Sequence, residues 1–142
     1  MRVYNAGGVP CKRSLPFHLL KDMAEHNDFG ASGEQMAREF LVNEGYTILE
    51  TNWRYLSHEV DIIAKKGDIL AFVEVKTRNS RFLGEPEVFV SRTQQRSYIT
   101  VANAYVQQNN RQEEVRFDII SIILNSKENT VKHIAGAFST IV

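Results

Sequence analysis

Residues 59–76 read Glu59-Val-Asp-Ile-Ile-Ala-Lys-Lys-Gly-Asp-Ile-Leu-Ala-Phe-Val-Glu-Val-Lys76. They form two apolar runs joined by a polar turn, with Lys66, Gly67 and Asp68 at its tip. Three charges stand inside these runs where a core strand carries none: Asp61, Glu74 and Lys76. Side chains two apart along a strand point the same way, so Glu74 and Lys76 share a face. A hairpin closing about Lys66-Gly67 sets Ala64 opposite Ile69, Asp61 opposite Phe72 and Glu59 opposite Glu74. Asp61 then lies diagonal to Glu74 on one face, roughly 7–8 Å away between backbones and within reach of a shared ion. A one-residue slip would carry Asp61 to the other face, so the whole reading rests on register parity.

Upstream of this hairpin the sequence predicts a helix starting at Ser32. Ser32 and Gln35 have capping-box spacing, Met36, Ala37, Phe40 and Leu41 form the apolar stripe, and Gly45 supplies the stop. Glu34 falls in the expected first turn, where the helix dipole favours a carboxylate. A strand follows from Tyr46 to Tyr55, and Ser57-His58 turn into the hairpin. The run 69–75 is almost continuously apolar, which implies cover on both faces. Thr77 to Glu87 is a charged loop with Gly84 and Pro86. Ser91 and Gln94 open a second helix to Gln107, with Tyr98, Val101, Ala102 and Tyr105 on its buried face. Strands at 116–123 and 131–138 complete an α/β chain in the order α-β-β-β-α-β-β, one mixed sheet flanked by helices.

The 142 residues suffice for one domain with its own core. Residues 1–22 differ from the rest: Gly7-Gly8, Pro10 and Pro16 break any periodicity, and four Lys/Arg stand against one Asp. They read as a flexible N-terminal extension or a misassigned start, with Met23 opening the domain over 23–142. No apolar run approaches the about 20 residues of a membrane span. The single cysteine, Cys11, excludes an internal disulfide and a cysteine zinc site and suits a reducing cytoplasm. With 17 Lys+Arg against 17 Asp+Glu the net charge is zero, which counts against a nonspecific nucleic-acid coat protein. A nuclease survives that test, because metal neutralises its acidic site and its basic residues can be local. Lys76, Arg78, Arg81, Arg92 and Arg96 are five such residues, against Glu85 and Glu87 in the same stretch.

Two carboxylates beside one ammonium leave net negative charge on an apolar sheet, which is unfavourable unless something compensates it. Asp61 and Glu74 are suitable oxygen ligands for Mg²⁺ or Mn²⁺, the Val75 carbonyl is a further one, and Lys76 can orient water and stabilise developing negative charge. Arg78, Arg81 and Arg96 are candidate phosphate contacts. The residues themselves leave Asp118 as a structural acid at a strand start, Trp53 as a packing anchor, Tyr98 as a core residue and His58 as an exposed turn residue.

Asp61 followed by Glu74-Val75-Lys76 resembles the Asp…Glu-x-Lys form of the PD-(D/E)xK nucleases. The longer series Gly33-Glu34…Ala37…Gly45-Tyr46…Asn52-Trp53-Arg54…Glu59-Val60-Asp61…Phe72-Val73-Glu74-Val75-Lys76-Thr77-Arg78…Phe82…Gly84 resembles the YraN, or UPF0102, family over about residues 24–138. That resemblance implies a restriction-endonuclease-like fold and kinship with archaeal Holliday junction resolvases. It also implies a metal-dependent endonuclease acting on branched DNA. It moves Glu34 towards the metal site as a further ligand, and by analogy with resolvases it implies a homodimer. Two positions depart from the family pattern: His58 stands where glycine is usual, and Gln94 where a helix lysine is usual. A binding module without catalysis and a protein-interaction domain are the competing readings, and neither has a reason to keep the acid-acid-lysine set.

Overall fold

The structure, a computed structural model, describes residues 29–79 and 90–140. Its elements are α1 (Phe29–Asn43), β1 (Thr47–Tyr55), β2 (His58–Lys66), β3 (Ile69–Arg78), α2 (Arg92–Gln108), β4 (Glu114–Leu124) and β5 (Asn129–Phe138). The strands form one sheet in the order β1-β2-β3-β4-β5. The β3–β4 pair is parallel and the other three pairs are antiparallel, as the α2 crossover between β3 and β4 requires. The expected mixed α/β sheet is therefore present, with its elements in the expected order and a restriction-endonuclease-like arrangement. The segment 1–22 and Arg81 lie outside the described residues.

Each helix covers one face. Met36, Ala37, Phe40 and Leu41 of α1 pack with Ile62, Ala64, Ala71, Val73, Ile120 and Ile122. Tyr98, Val101, Ala102 and Tyr105 of α2 pack with Val60, Ile63, Leu70, Phe72 and Phe117. Residues 70–73 of β3 are fully buried in alternation between these two layers, which is why that run is apolar at every position. Trp53 is a packing residue, its ring edge-on to Tyr105 at 5.2 Å.

Both helix ends obey local chemistry, with one correction. Tyr46 N–H donates to the Leu41 carbonyl and Gly45 N–H to that of Val42, a Schellman closure with Gly45 at φ +91°. Ser91 caps α2, accepting from Gln94 N–H at 3.2 Å. Ser32 does not cap α1: the helix begins at Phe29, and the Gln35 side chain bonds Arg38 and Glu39 along the helix instead. Glu34 therefore sits in the second turn, and the first turn holds no acid.

The β2–β3 register also differs from expectation. The turn closes about Gly67-Asp68, pairing Lys66 with Ile69, Ala64 with Ala71 and Ile62 with Val73. Gly67 takes φ +56° as the first of two loop residues, a geometry that favours glycine there. The shift is two residues, so face parity survives, and the register line runs Asp61 directly to Glu74 rather than diagonally. The β1–β2 hairpin uses the same two-residue loop with Leu56 in the first position at φ +55°, its side chain 79% exposed. A branched side chain in that conformation is strained and packs against little in return. Leu56→Gly should raise stability by up to about 1 kcal/mol in denaturant titration, after allowance for the freer unfolded chain.

Candidate active site

Asp61 sits where β2 stops being a regular strand. Ile62 packs under α1, yet Val60, two residues back, packs under α2. A regular strand would put both on one face, so β2 turns over at Asp61. Alongside, Asn52 lies between the paired residues Thr51 and Trp53 and takes φ +50°, which asparagine tolerates well. The β2–β3 ladder ends at Ile62–Val73. Beyond it the Val75 N–H donates to the Asp61 carboxylate at 2.7 Å, so a side chain fills the place of the next backbone rung. A residue's N–H and C=O point to the same strand edge, which turns the Val75 carbonyl towards the same gap.

Glu74 completes the cluster from β3. Lys76 Nζ lies 3.1 Å from one of its carboxylate oxygens, and the Tyr98 hydroxyl donates to the other. Burial, and then the charge of Glu74, push the Asp61 carboxyl up to about 7. The Val75 N–H acts against that rise, while Glu34 adds to it through its own charge and Glu74 again through a side-chain hydrogen bond. Glu34 thus acts on the site from α1, and its own carboxylate accepts from the Asn52 amide at 3.4 Å. It reaches this position because α1 lies almost on β3: a Cβ added to Gly33 would stand 1.8 Å from Thr77 Oγ1. Among the described residues, no three His, Cys, Asp or Glu side chains form a ready metal cage. The pair Asp61–Glu74 with Lys76 is assembled, and Glu34 stands at its rim.

The basic candidates separate. Arg78 is exposed and continues the Glu74–Lys76 stripe on β3. Arg96 is also exposed, but lies roughly 200° around α2 from Tyr98 and so faces away from Glu74. His58 is not a turn residue: it opens β2 paired with Tyr55, and Leu56-Ser57 form the turn.

These same residues carry the comparison with known proteins. The family described as Uncharacterised protein family UPF0102 matches residues 33–122, from Gly33 through the whole acidic cluster. The chain is 47% identical over 116 residues to a UPF0102 protein of Flavobacterium psychrophilum, covering 82% of this chain and 98% of that one. A UPF0102 protein of Christiangramia forsetii gives the same identity and coverage. One from Dictyoglomus turgidum is 45% identical over 103 residues, 72% of this chain and 87% of its own length. The chain belongs to the UPF0102 family.

Sequence reading of this UPF0102 chain passed over two residues beside the cluster. Its helical spacing puts Tyr98 in the core, and its ring does pack there against Phe138, but its hydroxyl reaches Glu74. Ser121 pairs in register with Lys76, is 3% exposed, and its hydroxyl has no hydrogen-bond partner among the described residues. Asp118 is a structural acid, as expected, although it lies well inside β4 rather than at its start. It is fully buried and pairs in register with Val73, the residue before Glu74. Arg116 binds it twice at 2.7 Å, His133 lies 2.8 Å away, and Gly136 N–H donates at 3.0 Å. Burial alone would raise its pKa, but these bonds outweigh burial and hold it below the usual carboxylate range. No helix among the described residues is long and apolar enough to cross a membrane.

Proposed function

We propose that this chain is a cytoplasmic, Mg²⁺- or Mn²⁺-dependent endonuclease that hydrolyses DNA phosphodiester bonds at branched or junction structures. What carries this reading is the convergence of Asp61 and Glu74 from neighbouring strands, with Lys76 on Glu74, at the point where the β2–β3 ladder ends. The donors are all oxygen, as a hard divalent ion requires, and Mg²⁺ sites commonly use one or two carboxylates and leave other positions to water and phosphate. A closed three-acid cage is therefore not needed. Asp61, Glu74 and the Val75 carbonyl would hold the ion, with Glu34 contributing from the rim.

When bound, the ion supplies charge neutralisation at the scissile phosphate and lowers the pKa of attacking water. Lys76, held beside the acids, orients that water and stabilises the negative charge that builds on the phosphoryl oxygens. Hydrolysis adds the water oxygen to phosphorus and releases a sugar hydroxyl. Arg78, next on the same stripe, takes a neighbouring phosphate and Arg81 a flanking one, while Arg96, turned away from Glu74, would meet only phosphates further along the DNA. Two copies related by a two-fold axis would present one site to each strand of a junction.

The test is incubation of nicked, flapped and four-way DNA with wild type and Glu74→Ala under Mg²⁺ and under Mn²⁺. Wild type is expected to cut at least one branched substrate, and Glu74→Ala to lose at least about 10²-fold in rate. DNA binding by folded wild type without cleavage under either ion would replace this reading with a silent binding module of the same fold.

A further inference from the structure

We infer that Tyr98 is a positioning residue for the acidic pair, fixing from α2 the direction in which the Glu74 carboxylate faces Asp61. This rests on the metal-site reading above. Past Ile62–Val73 the two strands no longer bond through their backbones, and the opening must be filled by something. The Asp61 carboxylate takes the Val75 N–H there, and Tyr98 approaches from α2. Its hydroxyl donates to Glu74 on β3. One phenol therefore ties the Glu74 carboxylate to the helix. Its ring is 4% exposed and is anchored edge-on to Phe138, so the hydroxyl cannot wander. Lys76 occupies the other Glu74 oxygen. Glu74 is thus aimed from both sides: the tyrosine contact is built into the core, while the lysine is partly exposed and free to swing towards phosphate. Outer partners of this kind tune metal affinity without touching the ion.

The deciding variant is Tyr98→Phe, which keeps the ring and its packing and removes only the hydroxyl. Calorimetric titration with Mn²⁺ should show affinity about 10–100-fold weaker than wild type, with thermal unfolding little changed in chelator. Unchanged Mn²⁺ affinity in folded Tyr98→Phe would overturn the assignment and leave the metal site standing. Wild type that binds no Mn²⁺ would overturn both. A second measurement does not depend on the variant folding. In wild type carrying tyrosine labelled with ¹³C at Cζ, Mg²⁺ titration should shift the Tyr98 signal along the binding curve, and a signal that stays fixed at saturation would equally overturn it.

Discussion

Gly33→Ala is expected to destabilise the chain by about 1–3 kcal/mol and to pull Glu34 away from the site. The new methyl would sit 1.8 Å from Thr77 Oγ1, 2.9 Å from its Cβ and 3.0 Å from its Cγ2. Rotating the threonine clears the hydroxyl contact, but its Cβ stays in place, so α1 must lift from β3. The helix carries Glu34 in the next position, and the same movement lengthens its distance to Asp61. Alanine is the better helix former, and propensity alone would favour the substitution. Loss of stability therefore separates close packing from propensity. Thr77→Ala in the same background should recover part of the loss, and a double-mutant cycle in urea measures the coupling. A Gly33→Ala protein as stable as wild type would mean that α1 does not lie this close to the sheet.

Asp61→Asn should have the opposite sign, stabilising the protein at pH 8 in the presence of chelator. The Asp61 carboxyl, raised by burial and then by Glu74, titrates at about 7 against an ordinary value of 3.8. Between those values the folded chain keeps a proton that the unfolded chain has lost. Stability therefore falls as pH rises through that window, and the loss is complete above about 7. Asparagine still accepts the Val75 N–H, and its amide can donate to Glu74, so the repulsion goes and the bonds stay. The gain should be on the order of 1–3 kcal/mol at pH 8 and close to zero at pH 4. Added Mg²⁺ should raise the melting temperature of wild type and leave that of Asp61→Asn unchanged. Parallel stability profiles for the two proteins from pH 4 to 8 would remove the proposed repulsion.

The sheet and both helices were legible because their apolar residues recur at strand and helix periods. The acidic pair was legible because charge inside such a run has no structural excuse. Register was harder: the exact closure depends on which residue adopts positive φ, and the site survived a shift from Lys66-Gly67 to Gly67-Asp68 because two residues preserve the face. What periodicity could not show was tertiary. The stripe that places Tyr98 in the core says nothing of where its hydroxyl ends. The reversal of β2 at Asp61 becomes visible only once Val60 and Ile62 are seen under different helices. Glu34 owes its position to the close approach at Gly33 rather than to a helix start at Ser32. Buried Asp118 needed partners from β4 and β5 before its charge made sense.

The sheet treats two of its acids, Asp118 and Asp61, differently. Around Asp118 every oxygen is answered by Arg116, His133 or the Gly136 backbone, and nothing there waits for a ligand. Around Asp61 the opposing charges are incompletely answered. The saturated set around Asp118 secures the architecture independently of the acidic pair. Variants altered at the acidic pair should therefore remain intact scaffolds, with thermal unfolding in chelator close to or above that of wild type.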